Sequence, residues 1–422
     1  MIEDFGNVSA ILFGFAFYYP LFMAYHWMIG AVYYFYHYEV KQGGVDEPPP
    51  LPHTPRITFL VPCHNDENII AETIEHLLLR QNYPDFEVIA INDGSEDGTG
   101  RILDELAARH PRLRAIHLAA NQGKALGLTT GTLMTASEFL ICIDSDALLD
   151  PNAANWIMWH LLSSARVGAV TGNPRIRNRS TLFGRIQVGE FSSTAGLLKR
   201  AQRTYGRLFT MSGVVAGFRK SALHQVGYWS PDMLTEDIDV TWKLELAKWD
   251  VRFEPRALCW ILMPETLKGL WRQRLRWAMG GAQVIFRYFR ALRSWRERRM
   301  WPIFLEYLVS MLWAYTMMTT FVLWAMGKFI ELPPELRVPT LLPAFTGVLI
   351  GVTCMLQVAI ALKMDSRYEK GLFRYYFWMI WYPVAFWVIN VFTTVVATPR
   401  VLMRRTGKRA TWRSPDRGIH TT

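Results

Sequence analysis

Four long apolar runs divide the chain. Residues 5–38, 338–362 and 375–399 contain no Asp, Glu, Lys or Arg, and residues 301–330 carry only Glu306 and Lys328. Each run exceeds the roughly 20 apolar residues that cross a bilayer as helix. The pattern predicts an integral membrane protein with an N-terminal anchor and Pro-rich linker (1–55), a soluble-looking block (56–256) and amphipathic interfacial helices (257–300). Three C-terminal spans (301–402) and a basic tail (403–422) follow. The first run lacks a basic start and a small-residue cleavage site, so it reads as a retained anchor.

Inside the block the period changes. Short β-branched runs at 56–61, 86–91, 113–118 and 139–143 alternate with helical patterns at 68–79, 101–108 and 125–134. Such alternation predicts an α/β domain with a parallel, doubly wound sheet whose ligands sit at the carboxyl ends of the strands.

Charge adds orientation. The net charge of +10 is concentrated: residues 256–300 hold eleven Lys or Arg against Glu265 and Glu297, and the tail from Pro399 holds seven against Asp416. Beside membrane spans, this reads as cytoplasmic, lipid-facing sequence and not as a nucleic-acid site. The block is therefore expected on the cytoplasmic side of a multi-pass inner (plasma) membrane protein, with Glu3 and Asp4 outside. Parity over four spans would put the tail outside too, against its charge; a break of the last span at Pro383 would reverse that. Cys63, Cys142, Cys259 and Cys354 are isolated, which argues against structural zinc and a disulfide framework.

Polar signals recur where strands end. Asp93, in Asn92-Asp93-Gly94-Ser95, could accept hydrogen bonds from a nucleobase or ribose, although Asp and Gly also make ordinary turns there. Asp144-Ser145-Asp146 puts two carboxylates on one side of an extended chain, spaced to face a divalent cation on a diphosphate. Lys124, in Asn121-Gln122-Gly123-Lys124, opens a helix and could meet an anionic group. The first Gly of a phosphate loop is missing, and there is no G-x-G-x-x-G, which disfavours ATPase and nicotinamide chemistry. Thr235-Glu236-Asp237-Ile238-Asp239 begins another helix: either plain capping, or a general base held ionised by helix amides. Gln273-Arg274-Leu275-Arg276-Trp277 lies in a helical pattern from about 265 to 292, which could simply rest in the interface, or could grip phosphate and stack on a sugar.

These four signals, in this order and followed by spans, resemble the processive members of glycosyltransferase family 2. The stretches 170–175, 186–190, 258–265 and 412–418 are similar to the branch that makes poly-β-1,6-N-acetylglucosamine. The resemblance implies a GT-A-like nucleotide-diphospho-sugar transferase domain inserted between transmembrane helices. It implies UDP-N-acetylglucosamine as donor, Mg²⁺ or Mn²⁺, and a growing polysaccharide passed outward. A small two-span membrane subunit, with cyclic di-GMP activation at its interface, belongs to the same expectation. Carried onto this chain, Glu67, Asp93, Lys124 and Asp144 would bind the nucleotide sugar and Asp146 the metal. Asp237, with Glu236, would be catalytic, and Gln273, Arg274, Arg276 and Trp277 would hold acceptor and diphosphate. Chitin- or hyaluronan-like synthesis and single addition to a lipid carrier are the competing readings.

Overall fold

The computed structural model describes residues 8–41, 47–338, 340, 344–404, 407–411 and 417; Glu3, Asp4 and most of the 412–418 stretch lie outside them. Helix α1 (Val8–Tyr34) is uncharged and widens into a π-helical turn, Phe35–Val40, that carries Glu39. The α/β block follows: β1 (Ile57–Cys63), α2 (Ile70–Arg80), β2 (Phe86–Asp93), α3 (Thr99–Arg109), β3 (Leu113–Leu118), α4 (Lys124–Leu133), β4 (Phe139–Ile143), β5 (Leu148–Leu149) and α5 (Ala153–Ser163). Every residue of β1, β2 and β4 is buried, as expected of strands covered on both faces. In α2, Ile70, Ile74 and Leu77 are buried at helical spacing and put one stripe on the sheet.

Next come β6 (Val167–Ile176), α6 (Leu182–Phe191), α7 (Leu198–Tyr205), β7 (Val215–Arg219), α8 (Lys220–Gln225), α9 (Glu236–Leu246) and β8 (Asp250–Ile261). The sheet order is β3-β2-β1-β4-β7-β6-β8-β5. From β3 to β4 all pairs are parallel, as expected. The expectation of a wholly parallel sheet is corrected beyond β4: β7 runs antiparallel to both β4 and β6, and β5 antiparallel to β8. The block's boundary at 256 is corrected as well, because that position falls inside β8, whose Cys259 and Trp260 pair with β5.

Among the described residues, three helices are long and apolar enough to cross a membrane: Val8–Val40, Trp295–Met326, which includes α11 (Trp301–Met326), and Thr346–Asp365 within α12 (Ala344–Asp365). The third expected C-terminal span is a correction. Residues 372–402 form a 3-10 segment (Leu372–Trp381), a π-helical turn beginning at Pro383 and a 15-residue helix, α13 (Val388–Leu402). Proline has no N–H to continue the ladder, and 15 residues reach only about 22 Å against a core of about 30 Å. This segment starts against α6 and α12 and ends against α11 and the interfacial helix α10 (Leu267–Tyr288). The described part of the tail lies against the α/β block, through Arg409, Ala410 and Arg417.

A buried ionic cluster joins the helices to the block. Arg200 of α7 donates to Glu39 (2.6 Å) and to Asp365 (2.9 Å) at the end of α12, and Arg175 of β6 donates to the other Asp365 oxygen (2.7 Å). All four side chains are almost fully buried.

Candidate active site

The carboxyl ends of β1, β2 and β4 meet the start of α9 and the turn before β7. That turn is the hub. Gly213 N donates to Asp237 Oδ2 at 3.1 Å, and Gly213 O accepts from Lys124 Nζ at 3.0 Å. Lys124 also donates to Asp144 Oδ1 at 2.5 Å and lies 3.1 Å from Glu236 Oε1. Asp144 N in turn donates to Val214 O. Lys124, Asp144, Glu236 and Asp237, four residues singled out in the sequence, thus form one group around a two-residue turn.

The electrostatics separate these acids. Burial works against the charge on Lys124, but Asp144 and Glu236 outweigh it and keep the ammonium protonated. Burial would raise Glu236; Lys124 and Arg276 override it and hold the carboxyl low. Asp237 is pushed up to about 6, by burial and then by the neighbouring Glu236 charge. The expected help from helix amides is present but small: the Ile238 amide reaches Asp237 Oδ1 (2.9 Å), and burial and Glu236 outweigh it.

Asp146 lies in a second acidic pair with Asp66, which follows β1. Arg417 of the tail sits between them, with Nη1 donating to Asp66 Oδ1 at 2.6 Å and Nε to Asp146 Oδ2 at 2.7 Å. Burial pushes the Asp146 carboxyl up to about 6 despite that guanidinium. Among the described residues no three His, Cys, Asp or Glu side chains surround a metal position. Two buried carboxylates that already share one cation nevertheless fit Mg²⁺ or Mn²⁺, since such ions commonly take one or two carboxylates and fill the remaining positions from phosphate and water. Upstream in the same tail, Ala410 N donates to Pro231 O at 2.8 Å and Arg409 donates to Gln122 Oε1. A Cβ at Gly123, where φ is +90°, would lie 2.0 Å from Ala410 O, so only glycine admits this crossing.

Glu67 and Asp93 flank the group and are engaged with protein amides. Asp93 accepts from Gln122 N and Gly123 N at 2.7 Å each, and Glu67 Oε2 accepts from Gly98 N at 2.8 Å. They shape the loops at the ends of β1 and β2. On α10, Arg276 is exposed, its nearest acceptor being Leu234 O at 3.5 Å, and its charge reaches Glu236 and Asp237. Trp277 is half-buried. Arg274 points elsewhere: it donates to Glu190 of α6 at 2.7 Å and its guanidinium lies 4.3 Å from the Trp277 ring centre. Gln273 Nε2 lies 3.7 Å from Met263 Sδ. Helix α10 approaches α9 closely through Gly280, where a Cβ would lie 2.0 Å from Thr235 Oγ1.

Asp66 and Arg417 were not picked out from the sequence. Asp66 carried a usable signal, a carboxylate just past a largely apolar strand; Arg417 stood only within the 412–418 stretch that carried the resemblance, and its 351-residue separation from Asp66 is bridged only by the fold.

Comparison with known proteins gives four findings. The profile described as Glycosyltransferase like family 2 matches residues 55–280. The chain is 37% identical over 411 residues to the poly-β-1,6-N-acetyl-D-glucosamine synthase of Staphylococcus epidermidis, covering 96% of this chain and 98% of that protein. It is 36% identical over 407 residues to the synthase of the same description from Staphylococcus aureus strain MSSA476. Among solved structures, the mannosyltransferase PcManGT from Pyrobaculum calidifontis, in complex with GDP-Man and Mn²⁺, aligns with a TM-score of 0.62 at 20% identity over 94% of this chain and 97% of that one. That last likeness bears on the fold alone.

Proposed function

The chain belongs to glycosyltransferase-like family 2, and from that premise we propose that it polymerises N-acetylglucosamine from UDP-N-acetylglucosamine into β-1,6-linked poly-N-acetylglucosamine and exports it through its membrane helices. The chain is a hexosyltransferase. The observation that carries the detailed reading is the Gly213 peptide, whose N–H holds Asp237 and whose C=O holds Lys124. A single residue thus fixes the acceptor-side acid relative to the donor-side charges.

In the transfer, Asp237 takes the proton of the acceptor's 6-hydroxyl as that oxygen bonds to the anomeric carbon. The bond from that carbon to the diphosphate breaks on the opposite face, and UDP leaves with the electron pair. A carboxyl near 6 suits this task, since it is ionised at neutral pH yet more basic than an exposed aspartate. Lys124, shared by Asp144 and Glu236, neutralises acids that would otherwise repel the nucleotide. A divalent cation held by Asp146 and Asp66 would neutralise charge on the leaving diphosphate. Arg276 and Trp277 offer an exposed guanidinium to phosphate and an aromatic face to sugar. Glu67 and Asp93 hold the loops against which the nucleoside rests, and Arg274 and Gln273 set the pose of α10.

The block faces the cytoplasm in this proposal, which extends to a small two-span subunit and to cyclic di-GMP acting where it docks. Co-purification of such a subunit, with and without the nucleotide, tests that part. UDP release from membranes supplied with either UDP-N-acetylglucosamine or UDP-glucose tests the donor: release is expected from the first, and equal efficiency with the second overturns the choice. Resistance of the product to a β-1,6-specific hexosaminidase would move the protein toward chitin- or hyaluronan-like synthesis.

A further inference from the structure

Lys199 of α7 is buried, only 5% exposed, yet among the described residues it has no carboxylate partner. A lysine in that position is ordinarily paired, because burying an unpaired ammonium is costly. Among the described residues its one hydrogen bond runs to Thr171 Oγ1 of β6 at 3.3 Å, and its Nζ lies 5.7 Å from the Phe253 ring centre of β8. Its neighbours on α7 are already neutralised, Arg200 by Glu39 and Asp365 and Arg203 by Asp250. The charged group that faces Lys199 is Asp237 of α9.

The hydrogen bonds continue toward the same aspartate. Thr171 Oγ1 also accepts from Ser212 N at 2.8 Å, and the next residue, Gly213, donates its N–H to Asp237 Oδ2. We propose that Lys199 is a positioning residue for glycosyl transfer: through Thr171 it fixes the Ser212–Gly213 turn that aims Asp237, and its ammonium helps keep Asp237 ionised. The inference rests on Asp237 being the base. Facing Asp237 besides Lys199 are Glu236 on α9, Lys124 on α4 and Arg276 on α10. Burial brings Lys199 down to about 7 and Asp237 lies near 6, so around pH 6.5 the two are oppositely charged.

The test is the pH profile of polymer formation by the full-length protein in membranes. Methionine at 199 removes a buried charge, so insertion and UDP binding should survive. Lys199→Met should lower kcat and move the acidic limb to higher pH, since loss of a nearby cation makes Asp237 harder to ionise. Thr171→Val, which cuts the link but keeps the charge, should lower kcat with the limb in place. If Lys199→Met leaves the limb where it is in wild type, whatever its rate, the inference is wrong and the residue only packs. Asp237→Asn run in parallel separates the two readings: near-wild-type transfer there sinks the base assignment, whereas an inactive Asp237→Asn beside an unmoved Lys199→Met limb sinks this inference alone.

Discussion

Asp146 and Asp237 are both raised to about 6 by burial, but their partners differ, and the partners decide what each can do. Asp146 shares a guanidinium with Asp66, an arrangement suited to a cation; Asp237 accepts from two backbone amides, those of Gly213 and Ile238, and among the described residues meets no guanidinium, an arrangement suited to the proposed base. Asp146→Asn should therefore weaken cation-dependent UDP binding along with turnover. Asp237→Asn should leave UDP binding near wild type while transfer falls roughly 10²–10⁴-fold, the usual size of a general-base contribution. Calorimetry with UDP and Mg²⁺ beside a UDP-release assay reads both; equal loss of UDP binding in the two variants would contradict the division. Arg417 adds a competing cation. With its guanidinium gone, Arg417→Ala should need less Mg²⁺ for half-maximal UDP binding, and an unchanged requirement would show that the contact does not compete with the ion.

Helix α10 is held by two close fits, Gly280 against Thr235 and the buried Arg274–Glu190 pair. Removing one member of a buried pair leaves a charge stranded at a cost of about 3–5 kcal/mol, whereas removing both is often neutral. Arg274→Met alone should thus lower the thermal unfolding temperature in detergent, and Arg274→Met with Glu190→Gln should recover most of it. Additive losses would mean that the two side chains act independently. The sequence made α10 legible to within a few residues, because its apolar spacing is a local signal. The strands through β4 and the helices between them were legible for the same reason. The antiparallel β7 and β5 were not, since pairing direction depends on the path of α6 and α7 and not on the composition of a five- or two-residue strand. In the site, acids at strand ends could be read one by one. The Ser212–Gly213 turn that joins them, and Lys199 behind it, work through backbone groups and burial that leave no mark on residue type.

Across the whole molecule, the ionic cluster of Glu39, Arg200, Asp365 and Arg175 fixes the ends of α1 and α12 to the sheet, so the helices and the site form one mechanical unit. The broken segment 372–402 brings the tail back over the same site. All four natural cysteines are buried, which makes a new thiol a clean probe of this topology. Lys408→Cys, at an exposed tail position, should react with a membrane-impermeant maleimide only from the side that bears the catalytic block; reaction from the other face would contradict the return path. The central claim is that this unit extends a polymer and does not add one sugar at a time to a lipid. Its most direct test is to reconstitute the purified chain in vesicles with the catalytic block outward, supply labelled UDP-N-acetylglucosamine and Mg²⁺, and size the product on each side of the membrane. The account predicts a long chain inside the vesicles, cleaved by a β-1,6-specific hexosaminidase once they are opened; a single labelled sugar on lipid, or UDP release without polymer, would contradict it.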